Sequence, residues 1–214
     1  IYKIAKDLFN ITDFFSLQLE VIESILCGNE TLAIFPTGSG KSICYQIPAL
    51  LSDGLTVVIS PLISLMKDQV INLKNKNIPA EYISSTLTAS KNKEILENLK
   101  KIKLLYITPE RLGSKKFKNA IKKQNVKISI IAIDEVHSIS LWGKSFRPSY
   151  LGIKKFIKEI TPKPVICGFT ATSNKKILKD IKTFLDLKNP LIFKKNSYRD
   201  NLKIEVRLTD DKLK

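Results

Sequence analysis

The sequence predicts an α/β fold with a mostly parallel central sheet and helices on both faces. Two observations predict it: apolar, β-branched runs alternate with helix-length segments, and a glycine-rich loop follows the first of these runs. The composition agrees, because 214 residues with 43% hydrophobic and 26% charged residues can bury the core of one large domain.

Seven apolar runs predict strands, and the segments around them predict helices. The predicted strands cover residues 31–35, 55–60, 80–83, 104–107, 128–133, 165–169 and 191–193. The predicted helices cover residues 16–27, 41–51, 62–76, 89–100, 114–124, 148–159 and 174–185. The run at 128–133 is nearly continuous and β-branched, which is typical of a central strand buried on both faces of a parallel sheet.

The predicted strands and helices alternate without interruption, and this determines the predicted domain organisation. The sequence contains no internal repeat, low-complexity tract or long linker, which favours one domain over residues 1–207. Residues 208–214 are polar and are interpreted as the start of a connection to a further domain. No apolar stretch approaches the length of a membrane span, so we expect no membrane partner.

The glycine-rich loop at residues 35–42 reads Phe-Pro-Thr-Gly-Ser-Gly-Lys-Ser and predicts a phosphate-binding site. Its glycines allow successive backbone N–H groups to surround phosphate oxygens just before a helix N-terminus, which favours anions. Lys41 would reach the outer phosphates and Ser42 would ligate Mg²⁺. The alternative is a simple Gly-Ser turn next to a lysine. The predicted nucleotide-binding residues of the loop are Thr37, Gly38, Ser39, Gly40, Lys41 and Ser42.

A second motif, Asp134-Glu135-Val136-His137, follows the strand predicted at 128–133. Ligands of open α/β sheets bind at the carboxyl ends of the strands, so Asp134 is placed to hold Mg²⁺, partly through water. Glu135 is placed to orient and deprotonate an attacking water. A solvated acidic turn is the alternative. Together the two motifs predict nucleotide hydrolysis, with Lys41, Asp134 and Glu135 as the catalytic residues.

The net charge of +16 and the pI of about 9.7 indicate a polyanionic partner. The alternative is a lysine bias imposed by an AT-rich genome. Cys27, Cys44 and Cys167 are widely spaced and lack metal-ligand spacing, so we interpret them as reduced core residues of an intracellular protein.

Three further segments resemble consecutive signatures of RecQ DNA helicases, namely residues 57–70, 106–112 and 140–150. Residues 42–50 continue the phosphate loop in the same style. The resemblance runs from about residue 14 to residue 207 and covers the first RecA-like lobe of a two-lobed motor. It therefore implies a RecA-like P-loop domain that uses ATP and Mg²⁺.

The resemblance also implies roles for single residues. Gln18 matches the glutamine that reads the adenine edge, since an amide presents both a donor and an acceptor. The family has an aromatic residue where this chain has Ile11, and Phe15 is either its replacement or a core side chain. His137, Thr170 and Thr172 match residues that couple nucleotide hydrolysis to movement. A structural role is the alternative for the lone histidine.

The predicted partners are single-stranded and partly duplex DNA, and the second helicase lobe. The loop from Trp142 to Arg147 resembles the aromatic-rich DNA sensor of the family, although the family has His-Asp where this chain has Lys144-Ser145. Aromatic core packing is the alternative for this loop. The predicted DNA contacts are Ser60, Lys67, Thr108, Arg111, Trp142, Phe146 and Arg147.

The resemblance thus implies an ATP-dependent 3′–5′ DNA helicase that separates strands in repair or recombination. It also implies a location in the cytoplasm at the bacterial nucleoid, or in the nucleus if the source is eukaryotic. An RNA helicase of the DEAD-box group is one alternative, although Asp-Glu-Ala-Asp and Ser-Ala-Thr would then replace the sequences at 134–137 and 170–172. The other alternative is a nucleic-acid-binding module that uses nucleotide only as a switch.

Overall fold

The computed structural model describes residues 1–141, 148–172, 174–195 and 205. The predicted aromatic-rich loop, with Trp142, Phe146 and Arg147, lies outside the described residues, as does the predicted connection at 208–214. Among the described residues, no helix has the length and apolar character that crossing a membrane requires.

Seven strands of the described residues form one sheet, and every neighbouring pair is parallel. The strands are β1 (Thr31–Ile34), β2 (Leu55–Ile59), β3 (Ala80–Ile83), β4 (Leu104–Ile107), β5 (Ile128–Ile133), β6 (Val165–Thr170) and β7 (Leu191–Lys194). Their order across the sheet is β3-β4-β2-β5-β6-β1-β7. All carboxyl ends of the strands therefore lie at one edge of the sheet.

Ten α-helices are present among the described residues. They are α1 (Tyr2–Phe9), α2 (Gln18–Leu26), α3 (Ile43–Leu51), α4 (Ile63–Lys74), α5 (Ala89–Glu97), α6 (Pro109–Leu112), α7 (Lys115–Gln124), α8 (Ser138–Leu141), α9 (Pro148–Glu159) and α10 (Lys175–Leu185). A 3₁₀ turn at Leu99–Lys101 follows α5. All seven predicted helices are present, whereas α1, α6 and α8 were not predicted.

Two hydrophobic cores lie on the two faces of the sheet. Successive residues of β2 alternate between them, because side chains of a strand point to opposite faces: Val57 belongs to one core and Val58 to the other. Helices α2, α3 and α4 cover the Val58 face, and α5, α7, α9 and α10 cover the Val57 face. The predicted fold class is confirmed, and the sheet is wholly parallel rather than mostly parallel.

Several element boundaries, by one to three residues, and one side chain differ from the sequence-based expectation. Helix α2 begins at Gln18 because Leu17 has a left-handed backbone with φ of 68°, and α3 begins at Ile43 because the phosphate loop extends through Ser42. Cys27 is exposed, so the prediction that it belongs to the core was wrong. It caps the end of α2, beyond the last turn that packs on the sheet.

Candidate nucleotide-binding and hydrolysis site

The phosphate loop connects β1 to α3 at the carboxyl edge of the sheet. Its first residue, Phe35, is fully buried, and its N–H donates to the carbonyl of Thr170 at 3.0 Å, which fixes the start of the loop to β6. Gly38 and Gly40 have φ of 81° and 74°, a conformation that glycine adopts without the steric cost borne by other residues. These two angles turn the loop back towards the N-terminus of α3.

The loop also holds its own lysine. The Nζ atom of Lys41 donates to the carbonyls of Phe35 and Pro36, at 3.2 and 3.3 Å. The Ser39 hydroxyl donates to the Pro36 carbonyl as well. Thr37 and Gly38, at the tip of the loop, are exposed. To contact phosphates as predicted, Lys41 would have to exchange these carbonyl contacts for phosphate contacts.

Gln18 lies directly against this loop, a contact that sequence reasoning missed. Its side chain is buried, and its Nε2 donates to the carbonyls of Ser39 at 3.0 Å and Gly40 at 3.3 Å. Its Oε1 accepts the N–H of Phe15 at 2.9 Å. Both ends of the amide thus bind protein backbone. Adenine recognition by Gln18 remains a prediction, and it would require the amide to give up some of these contacts.

Phe15 is not a core residue. Its side chain is 64% exposed, and the Nζ atom of Lys195 lies 5.7 Å from the ring centre. The core alternative for Phe15 was therefore wrong, and an aromatic face is accessible next to Gln18. Ile11 packs instead against the small apolar cluster around α1.

The acidic pair begins where β5 ends. The Asp134 N–H donates to the carbonyl of Ile59 at 2.9 Å, and the Glu135 N–H donates to Asp134 Oδ1 at 3.0 Å. Glu135 has φ of 48°, a left-handed conformation that is uncommon for residues other than glycine and costs about 1–3 kcal/mol. This turn places the carboxylates of two successive residues together at the sheet edge.

The pKa of Asp134 is raised to about 6, chiefly by burial and secondly by the negative charge of Glu135. The Glu135 N–H and the positive charge of Lys41 act in the opposite direction. The influence of Lys41 indicates that the phosphate loop and the acidic pair are close, as the neighbouring positions of β5, β6 and β1 require. A Mg²⁺ ion at this point would favour the charged form of Asp134.

His137 joins the acidic pair to the end of β6. Its Nδ1 lies 2.9 Å from Thr170 Oγ1 and 3.2 Å from Glu135 Oε2. The Thr170 hydroxyl donates to the Thr172 carbonyl at 3.0 Å, so it accepts from the histidine. Since a carboxylate also accepts, Nδ1 carries the proton. The structure therefore brings together the three residues predicted to couple hydrolysis to movement, while the coupling itself remains a prediction.

The predicted DNA contacts that are described lie after β2 and β4, which are neighbours in the sheet. Lys67 on α4 and Arg111 on α6 are exposed, and a polyanion can reach both. The Ser60 and Thr108 side chains are buried, and Ser60 Oγ accepts the N–H of Leu62 at 3.4 Å. Ser60 and Thr108 thus shape the loops in this conformation, and Lys67 and Arg111 present charge.

Comparison with known proteins agrees with this geometry. The family model described as DEAD/DEAH box helicase matches residues 15–181. The chain is 45% identical over 201 residues to ATP-dependent DNA helicase RecQ of Bacillus subtilis, covering 92% of this chain and 34% of that protein. It is 38% identical over 213 residues to ATP-dependent DNA helicase Q1 of Rattus norvegicus, covering 95% of this chain and 34% of that protein. These relatives confirm the resemblance to RecQ helicases.

Solved structures show the same fold at lower sequence identity. The crystal structure of the DUF1998 helicase MrfA bound to DNA matches with a TM-score of 0.74 at 18% identity, covering 91% of this chain and 29% of that one. The Hef helicase domain of Pyrococcus furiosus matches with a TM-score of 0.65, covering 90% of this chain and 39% of that one. The chain spans about a third of the length of the two curated relatives described above. It belongs to the DEAD/DEAH box helicase family.

Proposed function

We propose that this chain is the ATP-binding lobe of an ATP-dependent 3′–5′ DNA helicase of the RecQ type, which acts in DNA repair or recombination. One observation carries the proposal: the phosphate loop, the acidic pair and Thr170 meet at the carboxyl ends of β1, β5 and β6 in a chain whose relatives are named DNA helicases. The proposal includes a second lobe as partner and a location with the DNA, at the bacterial nucleoid or in a nucleus.

The residues of the site fit ATP and Mg²⁺. Among the described residues, no cluster of three or more His, Cys, Asp or Glu side chains could hold a metal alone. Ser42 and Asp134 would supply two ligands, which suits Mg²⁺, since this ion keeps several waters and phosphate oxygens in its shell. When bound, ATP and Mg²⁺ supply the phosphoanhydride bond and the charge that polarises it.

Two side chains then have distinct tasks. Lys41, released from the carbonyls of Phe35 and Pro36, would neutralise negative charge on the outer phosphates. Glu135 would orient a water molecule and accept its proton, with His137 holding the carboxylate from one side. DNA binding would rest on phosphate contacts from residues such as Lys67 and Arg111, so it should be salt-sensitive and largely independent of sequence.

The test uses the complete gene product and measures nucleotide binding, ATP turnover and strand separation with DNA and RNA side by side. Lys41→Ala should lose nucleotide binding and turnover, and Glu135→Gln should bind nucleotide without hydrolysing it. Lys93→Ala removes an exposed lysine of α5 and should leave both unchanged.

Each alternative has its own outcome in this test. Equal stimulation and unwinding with RNA would favour the DEAD-box RNA helicase alternative. Nucleotide-dependent binding without turnover in the unmodified protein would favour the switch module. Full turnover by Lys41→Ala would contradict the assignment of the site.

A further inference from the structure

A group of three buried and one half-buried polar side chains lies between the phosphate loop and the loops predicted to touch DNA. It consists of Tyr45 and Gln46 of α3, Gln69 of α4 and Tyr106 of β4, and we name it the α3–β4–α4 network. Tyr45 and Tyr106 are 1% exposed and Gln46 is 4% exposed, within the core formed by α2, α3 and α4 on the sheet.

Gln46 connects three elements through one side chain. Its Nε2 donates to Gln69 Oε1 at 2.8 Å and to the hydroxyl of Tyr106 at 3.1 Å. An amide nitrogen has two hydrogens, so both contacts are made at the same time. The position of α3 is thereby fixed relative to both α4 and β4 by directional bonds, in addition to apolar packing.

The network continues to the nucleotide site through Tyr45. The Tyr45 ring packs edge-on against the Tyr106 ring, with centroids 6.4 Å apart, and against the Phe169 ring at 5.2 Å. The Tyr45 hydroxyl interacts with the side chains of Ser42 and Tyr106. Ser42 is the proposed Mg²⁺ ligand, and Phe169 immediately precedes Thr170. One end of the network therefore lies beside Ser42 and Thr170, which are proposed to hold Mg²⁺ and to couple hydrolysis to movement.

The other end lies at the predicted DNA contacts. Gln69 follows Lys67 by two residues on α4, and Tyr106 precedes Thr108 by two residues at the end of β4. Apolar side chains of similar size could fill this space without the cost of burying polar groups. Replacing both partners of a buried hydrogen bond with such apolar side chains often leaves the stability of a protein nearly unchanged. Packing alone therefore does not account for four polar side chains at this place.

We infer that Gln46 and Tyr106 are positioning residues that make the phosphate loop and the DNA-contacting elements α4 and α6 move as one unit. Bound nucleotide would then change DNA affinity, and DNA would change nucleotide affinity by the same factor, as thermodynamic linkage requires. This inference rests on the proposed function. It adds a physical connection inside the lobe that neither the phosphate loop nor the acidic pair supplies.

The test measures the factor by which a non-hydrolysable ATP analogue changes the affinity of the complete protein for single-stranded DNA. Tyr106→Phe keeps the ring and removes only the hydroxyl, and Gln46→Met keeps the side-chain length and removes both donors. We expect this factor to fall by about fivefold in each variant, since one or two buried hydrogen bonds are lost. Nucleotide affinity without DNA should stay within about twofold of the unmodified protein.

Tyr82→Phe is the matched control, because Tyr82 lies directly opposite Tyr106 in the β3–β4 pairing and takes no part in the network. It should leave the coupling factor unchanged. Gln69→Met, at a half-buried position, provides a further variant if Gln46→Met does not fold.

Two results would overturn the inference, and they can be told apart. If the unmodified protein shows the nucleotide effect on DNA affinity and Tyr106→Phe and Gln69→Met retain it in full, the network has no positioning role and the proposed function stands. If the unmodified protein shows no such effect, the proposed function and the inference fail together.

Discussion

Replacing Gly40 with alanine tests whether Gln18 holds the phosphate loop in shape. A Cβ atom at Gly40 would lie 2.3 Å from Gln18 Nε2, well inside contact distance. The same nitrogen donates to the carbonyls of Ser39 and Gly40, so the amide cannot move away without losing these bonds. The substitution should therefore destabilise the folded protein in two separable ways.

The first cost is backbone strain, because Gly40 has φ of +74°. A left-handed alanine costs about 1–2 kcal/mol, and the reduced entropy of the unfolded chain offsets part of it, leaving about 1 kcal/mol. The second cost is the displaced Gln18 amide, whose two donated hydrogen bonds are worth about 1 kcal/mol each. The expected loss of unfolding free energy for Gly40→Ala is about 2–3 kcal/mol.

Gly28→Ala separates the two costs. Gly28 has φ of +82°, but a Cβ there would meet no atom within 4 Å, so only the backbone strain of about 1 kcal/mol should appear. Urea unfolding of the chain measures both variants. In a Gln18→Ala background the cost of Gly40→Ala should fall to that of Gly28→Ala.

The reasoning is refuted if Gly40→Ala costs no more than Gly28→Ala. It is also refuted if the excess cost of Gly40→Ala persists after Gln18 has been replaced, because the clash would then not be its origin. A double-mutant cycle of this kind isolates the pairwise contact from other effects of each change.

Three further predictions concern titration, thiol reactivity and turnover. The pKa of Asp134 is raised from 3.8 to about 6, so its contribution to stability is complete below the pKa of the unfolded chain and is lost as the pH rises through about 6. Urea unfolding between about pH 4 and pH 8 should therefore show the free energy of unfolding fall with pH, and Asp134→Asn should flatten this slope. An unchanged slope would contradict the raised pKa of Asp134. Exposed Cys27 should be the first thiol to react with a maleimide, as counted by mass spectrometry. Cys44 and Cys167 are buried and should react only on unfolding, and burial raises the pKa of the Cys44 thiol to about 12. Rapid labelling of all three thiols would contradict this prediction. The chain alone should hydrolyse ATP far more slowly than motor ATPases do, because the proposed second lobe would supply an arginine finger worth about 10³–10⁵ in rate. DNA-stimulated turnover of about 1 s⁻¹ or more by the chain alone would show that no second lobe is needed.

Most strands could be predicted from sequence because they are short apolar runs between polar segments, whereas β3 contains Glu81 and β7 ends on Lys194. The strand predicted at 128–133 has these bounds in the structure, and all four residues of β1 are buried as a central strand requires. Helix α1 was missed although Ile4, Ala5 and Leu8 recur at helical spacing, because its eight residues are fewer than the roughly 10–12 by which a helix is told from a short apolar run in sequence. Cys27 was wrongly predicted to be a core residue because cysteine is usually buried, whereas Cys27 follows the last residue of α2 and is exposed.

The polar contacts of the site could not be predicted in the same way. Gln18 and Gln46 are buried polar residues in otherwise apolar stretches, which is a signal that they have partners, but the sequence does not name the partners. Gln18 meets residues 21 and 22 positions away, and Gln46 meets a residue 60 positions away. The left-handed backbone of Glu135 has no sequence signal either, because this conformation is uncommon for a glutamate.

Strand order is what turns three separate motifs into one site. The phosphate loop follows β1, the acidic pair follows β5 and Thr170 ends β6, and these strands are adjacent in the order β5-β6-β1 although β2, β3 and β4 lie between β1 and β5 in the sequence. With β6 in the middle, Thr170 can accept from His137 on one side through its hydroxyl and from the Phe35 N–H on the other through its carbonyl. A shift of either neighbouring loop would strain a bond to the same residue, so we expect the end of β6 to be the point through which a change at the phosphates reaches the acidic pair.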